Sequence, residues 1–439
     1  MKNKVKQFSL IIFIICYTLS IFSITSFAAN NDISTYSPHC ILMESSTGKI
    51  VYEKDAYSKA YPASTTKIMT AILALEKCNL TDTATVSHNA IYSVPVGYSH
   101  AYLVEGEELT INQLLHILLI PSANDAAVVL AEHIAGSVES FASMMNTKAI
   151  EIGCQNTNFV NPNGIHSDNH YSTAYDLALI GRYAMQNETF RKIVTTTQYT
   201  LPSTNKYAEA NRFFKLTNEL IVPDTRDSVD NYYYPYATGI KTGYTNPAGE
   251  CLVASAKKDD LEYIAVILGA GKTENGLSAR FIDCKNLFNY AFDNYKTYVI
   301  NNENSLIKQL SISNGNIFNN KLDVIAKDEI NLLIKNDTDI ASLTPTINIS
   351  SDLVAPIKKN TLIGTISYTV DGNTYASDLI AGNDIYESNL RTNVLTFISI
   401  VLVVFFLYKL LKFKPTKNTK KKNEKKKKKK KDDNNYLYW

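Results

Sequence analysis

The sequence predicts an α+β domain, an antiparallel sheet packed with a helical subdomain, followed by a small all-β domain and one C-terminal transmembrane helix. Three observations carry this prediction. Strand character at residues 39–54 and 240–268 encloses a long stretch of helical periodicity between residues 61 and 185. Residues 305–385 instead alternate in short runs such as KLDVIA, INLLIK, NTLIGTISYTV and NTYASDLIAG, separated by Asn, Asp and Gly turns. Residues 394–411 are then almost entirely apolar and long enough to cross a bilayer.

At 439 residues, with 45% hydrophobic and 20% charged content, the chain reads as folded and long enough for two or three domains. Its net charge of +2 conceals an asymmetry, because residues 409–439 hold 14 lysines against Glu424, Asp432 and Asp433. Lys2, Lys4 and Lys6 open the chain, which leaves the body between acidic. Residues 1–28 have the layout of a secretory signal peptide: lysines, an apolar run, and small Ser26 and Ala28 at a cleavage point. A retained membrane helix is the alternative there. The Lys-rich tail directly follows the apolar segment 394–411, so the positive-inside rule keeps it cytoplasmic and places residues 29–393 outside the cell. Contact with anionic lipid explains the tail more simply than nucleic-acid binding, and no nucleic-acid partner is expected. The expected division is a signal peptide at 1–28, a catalytic domain at 29–298, an all-β domain at 299–386, a linker at 387–393, a transmembrane helix at 394–411 and a cytoplasmic tail at 412–439.

Taken in order, HCILMESSTGKIVYEKD reads as two short strands joined at the turn-forming run 46–48. The stretch 61–76, YPASTTKIMTAILALE, enters a helix at Pro62 and is apolar on more than one side, so it should be buried. From Thr110, a plausible N-cap, TINQLLHILLIPSANDAAVVLAEHIAGS is helical with an interruption at Pro121. Helices follow at 141–152 and up to about Met185, the second entered through an Asn/Gly-rich loop. Residues 195–236 are polar and Tyr/Asn-rich, with Pro202, Pro223 and Pro235 breaking regularity, and contain an inserted surface loop. Strands are expected at 240–244, 249–257 and 262–268, then a helix at 280–295.

Chemistry narrows to a few residues. Ser64 and Lys67 stand three apart, which on a helix turns both side chains to one face and sets a hydroxyl beside an amine. The S-x-x-K spacing occurs five times, also at Ser46/Lys49, Ser203/Lys206, Ser255/Lys258 and Ser305/Lys308, so spacing alone does not select Ser64. The histidines show no H-E-x-x-H pattern, and Cys40, Cys78, Cys154, Cys251 and Cys284 show no C-x-x-C. Buried thiols, no metal and no cofactor are therefore expected. What selects Ser64 is order: STTK at 64–67, SAN at 122–124 and a single KTG at 241–243. S-x-x-K with K-T-G is the signature set of penicillin-binding proteins and serine β-lactamases.

Together with VEGEELTINQLLHILLIPSANDAAVVLAEHIAGS, NFVNPNGIHSDNHYSTAYDLALI and GIKTGYTNPAGECLVASA, these motifs resemble the low-molecular-mass penicillin-binding proteins that act as serine-type D-alanyl-D-alanine carboxypeptidases. The likeness covers roughly residues 38–298, and the β module and C-terminal anchor resemble that family's arrangement. The resemblance implies a serine β-lactamase/DD-peptidase-like fold, a peptidoglycan stem peptide ending in D-Ala-D-Ala as substrate, and β-lactam antibiotics as covalent inhibitors. An acyl-enzyme mechanism needs an activated hydroxyl, a base, a proton relay and an oxyanion site. Ser64 fits the nucleophile, and Lys67 the base if burial and the Lys241 cation depress its pKa. Ser122 is placed to relay a proton to the leaving D-alanine, and Asn124 to bind the substrate amide and orient Lys67. Lys241 and Thr242 would hold the terminal carboxylate, with Gly243 permitting backbone approach. The resemblance implies an oxyanion hole from the backbone N–H of Ser64 and Tyr244; some relatives carry His in place of Tyr244, and a basic residue that reads the carboxylate in some relatives falls near Thr217. A β-lactamase, a DD-endopeptidase on the same residues and a non-catalytic wall-binding protein stay open as alternatives; a class A β-lactamase would need a deacylating Glu, and no E-x-x-x-N loop lies between Ser122 and Lys241, although Glu151 and Glu188 fall in that interval.

Overall fold

The computed structural model describes residues 33–209, 211–223, 231–316, 319–388 and 390–412. The expected signal peptide, nearly all of the Lys-rich tail and residues 224–230 lie outside the described residues. The described residues divide into two compact units, the first comprising those up to Tyr298 with Leu333–Ile340 and Asp371–Asn373, the second the remaining described residues.

The first unit begins with β1 (His39–Glu44) and β2 (Ile50–Lys54), a hairpin whose turn holds Gly48 at φ 77°. Helix α1 (Lys67–Lys77) is buried on every side from Lys67 to Ala74, as an all-round apolar helix must be. A short α2 (His88–Tyr92) lies between β3 (Thr83–Thr85) and β4 (Glu108–Thr110). Helix α3 (Ile111–Leu119) opens on a capping box in which the Thr110 hydroxyl accepts from Gln113 N–H and the Gln113 side chain accepts from Thr110 N–H. Pro121 ends this run, and α4 (Asn124–Ala135) and α5 (Val138–Ile152) follow, each closed by a left-handed glycine, Gly136 and Gly153. After the 153–173 loop come α6 (Ala174–Ala184) and α7 (Glu188–Val194).

The sheet is completed from the far end of the unit. Strands β7 (Ala237–Thr245), β8 (Gly249–Lys258) and β9 (Leu261–Ala270) form a meander, and β1 pairs antiparallel with β9, giving the order β2-β1-β9-β8-β7. β8 and β9 are buried over six consecutive residues because helices cover both faces; α6 packs on β9 and β1, and α8 (Ala279–Asn294) on β9 and β8. β7 is left at the edge, where its main chain faces the helical subdomain built on α1, α3, α4 and α5.

One element goes beyond the expectation. Within the 195–236 stretch, β5 (Gln198–Leu201) and β6 (Arg212–Lys215) pair as a hairpin. Its strands are short and half exposed and its loop is long, so neither alternation nor a tight-turn dipeptide marks it.

From β10 (Tyr295–Asn301) onward the chain is built of strands: β11 (Leu306–Asn316), β12 (Asn319–Ala326), β13 (Ile330–Lys335), β14 (Thr346–Ile349), β15 (Leu362–Val370) and β16 (Asn373–Ala381). Five of these make one sheet of order β11-β12-β16-β15-β14, and the alternating burial of β12 and β15 gives it one packed face. The last described element, α9 (Leu390–Lys412), contains residues 393–412, long and apolar enough to cross a membrane.

Candidate active site

Ser64 lies in a 3₁₀ turn, Ala63–Thr66, that runs into α1 at Lys67. In such a turn residues i and i+3 eclipse, so the S-x-x-K spacing sets the lysine over the serine more directly than a regular helix would. Lys67 Nζ is 2.9 Å from Ser64 Oγ, 2.8 Å from Asn124 Oδ1 and 2.7 Å from the Asn163 carbonyl. The amine is fully buried, and burial first, then the Lys241 cation, push it well below its usual 10.5, with Asp125 opposing. A neutral amine has two N–H groups and one lone pair. In that form Asn124 Oδ1 and the Asn163 carbonyl, which can only accept, take the two N–H groups and the lone pair is left for the Ser64 hydroxyl. Ala63, immediately before the nucleophile, is held at φ 47°, a strained conformation for a residue with a Cβ.

The interruption at Pro121 delivers the second motif. Ser122 is buried at φ 66°, a second non-glycine residue in the left-handed region, and Asn124 opens α4. Asn124 is fixed twice to one acceptor: its backbone N–H and its Nδ2 both donate to the Ser99 carbonyl at 2.9 Å. One Nδ2–H therefore stays available beyond that bond. Ser122 Oγ is not among the three hydrogen-bond partners of Lys67.

The third motif occupies the edge strand β7. Lys241 is buried with Nζ 3.0 Å from the Thr242 carbonyl, and burial, then the Arg280 guanidinium, lower it to about 7. Thr242 Oγ1 is 2.7 Å from Thr217 Oγ1, so two hydroxyls pair at this edge strand. Gly243 is required by contact rather than by dihedral angle: a Cβ there would lie 3.0 Å from Ser64 N and 3.1 Å from both Ala63 Cβ and the Pro62 carbonyl. Tyr244 follows with its ring 59% exposed and its hydroxyl on Asn246.

The structure thus joins Ser64, Lys67 and Asn124 by direct hydrogen bonds and brings Gly243 against the Ser64 amide. It also adds residues that motif reading missed. Asn163 contributes only its carbonyl, which leaves no side-chain signature. Gly164 beside it, φ 81°, is the legible signal, because a Cβ would overlap the Ala63 carbonyl at 1.8 Å. His170 is buried behind the S-x-x-K turn. Val160 N–H donates to its Nδ1, so its proton sits on Nε2 and is donated to Thr66 Oγ1 at 2.8 Å. Burial, then His166 and Lys67, lower His170 to about 4. Arg280, on α8, donates to the Gly243 carbonyl at 3.1 Å and ties β7 to the helix layer.

The other S-x-x-K pairs fall elsewhere: Ser46/Lys49 spans the first hairpin turn, Ser203/Lys206 the β5–β6 loop, Ser255/Lys258 the end of β8 and Ser305/Lys308 the entry to β11. Among the described residues, Ser64 and Lys67 are the one pair of the five joined Nζ to Oγ. All five described cysteines are free thiols, four of them buried.

Comparison with known proteins gives matches over both parts of the chain. The model of the D-alanyl-D-alanine carboxypeptidase peptidase family matches residues 25–272, and that of the penicillin-binding protein 5 C-terminal domain matches residues 295–387. The D-alanyl-D-alanine carboxypeptidase DacF of Bacillus subtilis is 31% identical over 393 residues, 88% of this chain and 94% of that protein. DacC of Escherichia coli, also named a D-alanyl-D-alanine carboxypeptidase, is 30% identical over 81% of this chain and 86% of its own length. Among solved structures, penicillin-binding protein 5 of Haemophilus influenzae superposes with a TM-score of 0.66 at 26% identity, covering 82% of this chain and all of that one. The chain therefore belongs to the D-alanyl-D-alanine carboxypeptidase family of low-molecular-mass penicillin-binding proteins.

Proposed function

We propose that the protein is a serine-type carboxypeptidase that removes the C-terminal D-alanine from peptidoglycan stem peptides ending in D-Ala-D-Ala, through an acyl-enzyme on Ser64. The carrying observation is the Lys67 amine, buried, depressed in basicity and 2.9 Å from Ser64 Oγ. Ser64 Oγ attacks the carbonyl of the penultimate D-alanine while its proton passes to Lys67 Nζ. The C–N bond then breaks, the leaving amine takes a proton through Ser122, and water later hydrolyses the ester and restores the Ser64 proton. The oxyanion is held by the Ser64 and Tyr244 amides, a role favoured by the close approach of β7 to Ser64 N at Gly243. Asn124 offers its remaining Nδ2–H to the substrate amide. Lys241 and the Thr217–Thr242 hydroxyl pair receive the terminal carboxylate. A β-lactam acylates Ser64 by the same first step, with its leaving amine still tethered.

The peptidase reading is favoured over a β-lactamase by the group beside Lys67. Where a deacylating carboxylate would help, Lys67 meets the Asn163 carbonyl. Glu151 bonds Lys148 at 2.7 Å on α5, and Glu188 opens α7. A scaffold without catalysis has no use for a lysine buried at the cost of its charge. DD-endopeptidase action would draw on the same residues. We further propose that residues 1–28 are a signal peptide, that α9 anchors the chain, and that the catalytic unit faces outward with the Lys-rich tail in the cytoplasm. D-alanine release from a D-Ala-D-Ala peptide, measured beside benzylpenicillin hydrolysis, tests the function. Release with slow penicillin turnover is expected, and rapid penicillin turnover without release would overturn it.

A further inference from the structure

Tyr102 combines two features that rarely occur together. Its backbone is at φ 55°, the left-handed region that disfavours side chains, and its ring is 74% exposed, so no burial offsets the strain. The strain is imposed from both sides. Ala101 N–H and Leu103 N–H both donate to the buried carboxylate of Asp125, at 3.0 and 3.2 Å, and both neighbouring side chains are buried. The Tyr102 carbonyl accepts from the Tyr207 hydroxyl at 3.2 Å, and Tyr207 belongs to the β5–β6 hairpin, whose Arg212 pairs with buried Glu107. The ring is thereby projected from a rigid loop, and the His100 ring lies near-parallel to it at 6.3 Å.

The anchors of this loop are residues of the site. Asp125 follows Asn124, and Ser99, three residues before Tyr102, holds the Asn124 side chain. In the function proposed above, Asn124 binds the amide of the D-alanine that acylates Ser64, and Asn124 is itself held by Ser99 of the 99–103 loop, so this loop borders the path of the next residue upstream. We propose that Tyr102 is a specificity-determining residue whose ring packs against the long side chain of the stem peptide's third residue. This rests on the carboxypeptidase reading. An aromatic face suits the aliphatic part of such a side chain whatever charge ends it.

The test compares kcat/KM for D-alanine release from two substrates, N-acetyl-L-Lys-D-Ala-D-Ala and N-acetyl-Gly-D-Ala-D-Ala, in the full-length protein. Tyr102→Ala should lower the Lys-to-Gly preference about 3- to 10-fold, the size of one aromatic contact. Tyr102→Phe should retain it. Tyr102→Gly, which suits the left-handed backbone, should lose the preference while raising the thermal midpoint. An unchanged preference in Tyr102→Gly, or equal losses on both substrates, would overturn the proposal. Wild-type protein that releases D-alanine from neither peptide would overturn the carboxypeptidase reading itself.

Discussion

Replacing Gly243 with alanine tests how tightly the oxyanion site is built. The added Cβ would lie 3.0 Å from Ser64 N, 3.1 Å from the Pro62 carbonyl and 3.1 Å from Ala63 Cβ, against about 3.4 Å for an ordinary contact. Two of the three neighbours are main-chain atoms of the turn that carries the nucleophile, so no flexible side chain can yield. Either β7 or the Ala63–Thr66 turn must retreat by ~0.4 Å, with the turn already strained at Ala63. Such overpacking costs about 1–3 kcal/mol, a fall of a few degrees in thermal midpoint for a unit of this size. The chemistry is slowed as well. A misplacement of about 1 Å costs roughly 100-fold, so ~0.4 Å at the oxyanion donors should lower the rate of Ser64 acylation by about sixfold. Stopped-flow or quenched acylation by benzylpenicillin reads this directly, with circular dichroism melting as the control for folding. Wild-type acylation in a folded Gly243→Ala protein would refute the view that β7 and the Ser64 amide form one fitted site.

Two further outcomes follow from the buried bases. Because burial and Lys241 hold Lys67 well below 10.5, kcat/KM should rise with pH along a limb centred well below that value; a limb near 10.5 would contradict a neutral Lys67 base. His170 titrates at about 4 folded against 6.5 for a free side chain, so the unfolded chain alone takes up its proton as pH falls from 6.5 toward 4. Its stabilising contribution is complete above 6.5 and declines by up to ~3 kcal/mol toward pH 4. Urea unfolding of His170→Gln should show a flatter loss over that window than the wild type, and identical slopes would refute the assignment.

The parts of the fold that the sequence made legible are those in which one residue's chemistry fixes local geometry. Thr110 marked the start of α3, and Pro121 marked the break that carries Ser122 and Asn124. All-round apolar character marked α1 as buried. The site was legible where side chains act, at Ser64, Lys67 and Asn124. It was hidden where the main chain acts, at the Asn163 carbonyl, or where a distant element reaches in, as Arg280 does from α8. The β5–β6 hairpin was missed for a related reason: its register is held through Glu107 and Tyr102 of another loop, a long-range cause that local periodicity does not record.

The central claim, a Ser64 nucleophile activated by Lys67, is tested most directly by intact-protein and peptide mass spectrometry after brief exposure to benzylpenicillin. The account predicts one adduct per chain, of the full mass of the antibiotic, on the peptide containing Ser64 and absent from folded Ser64→Ala. An adduct that persists in Ser64→Ala, or a folded wild-type protein that takes up none, would contradict it.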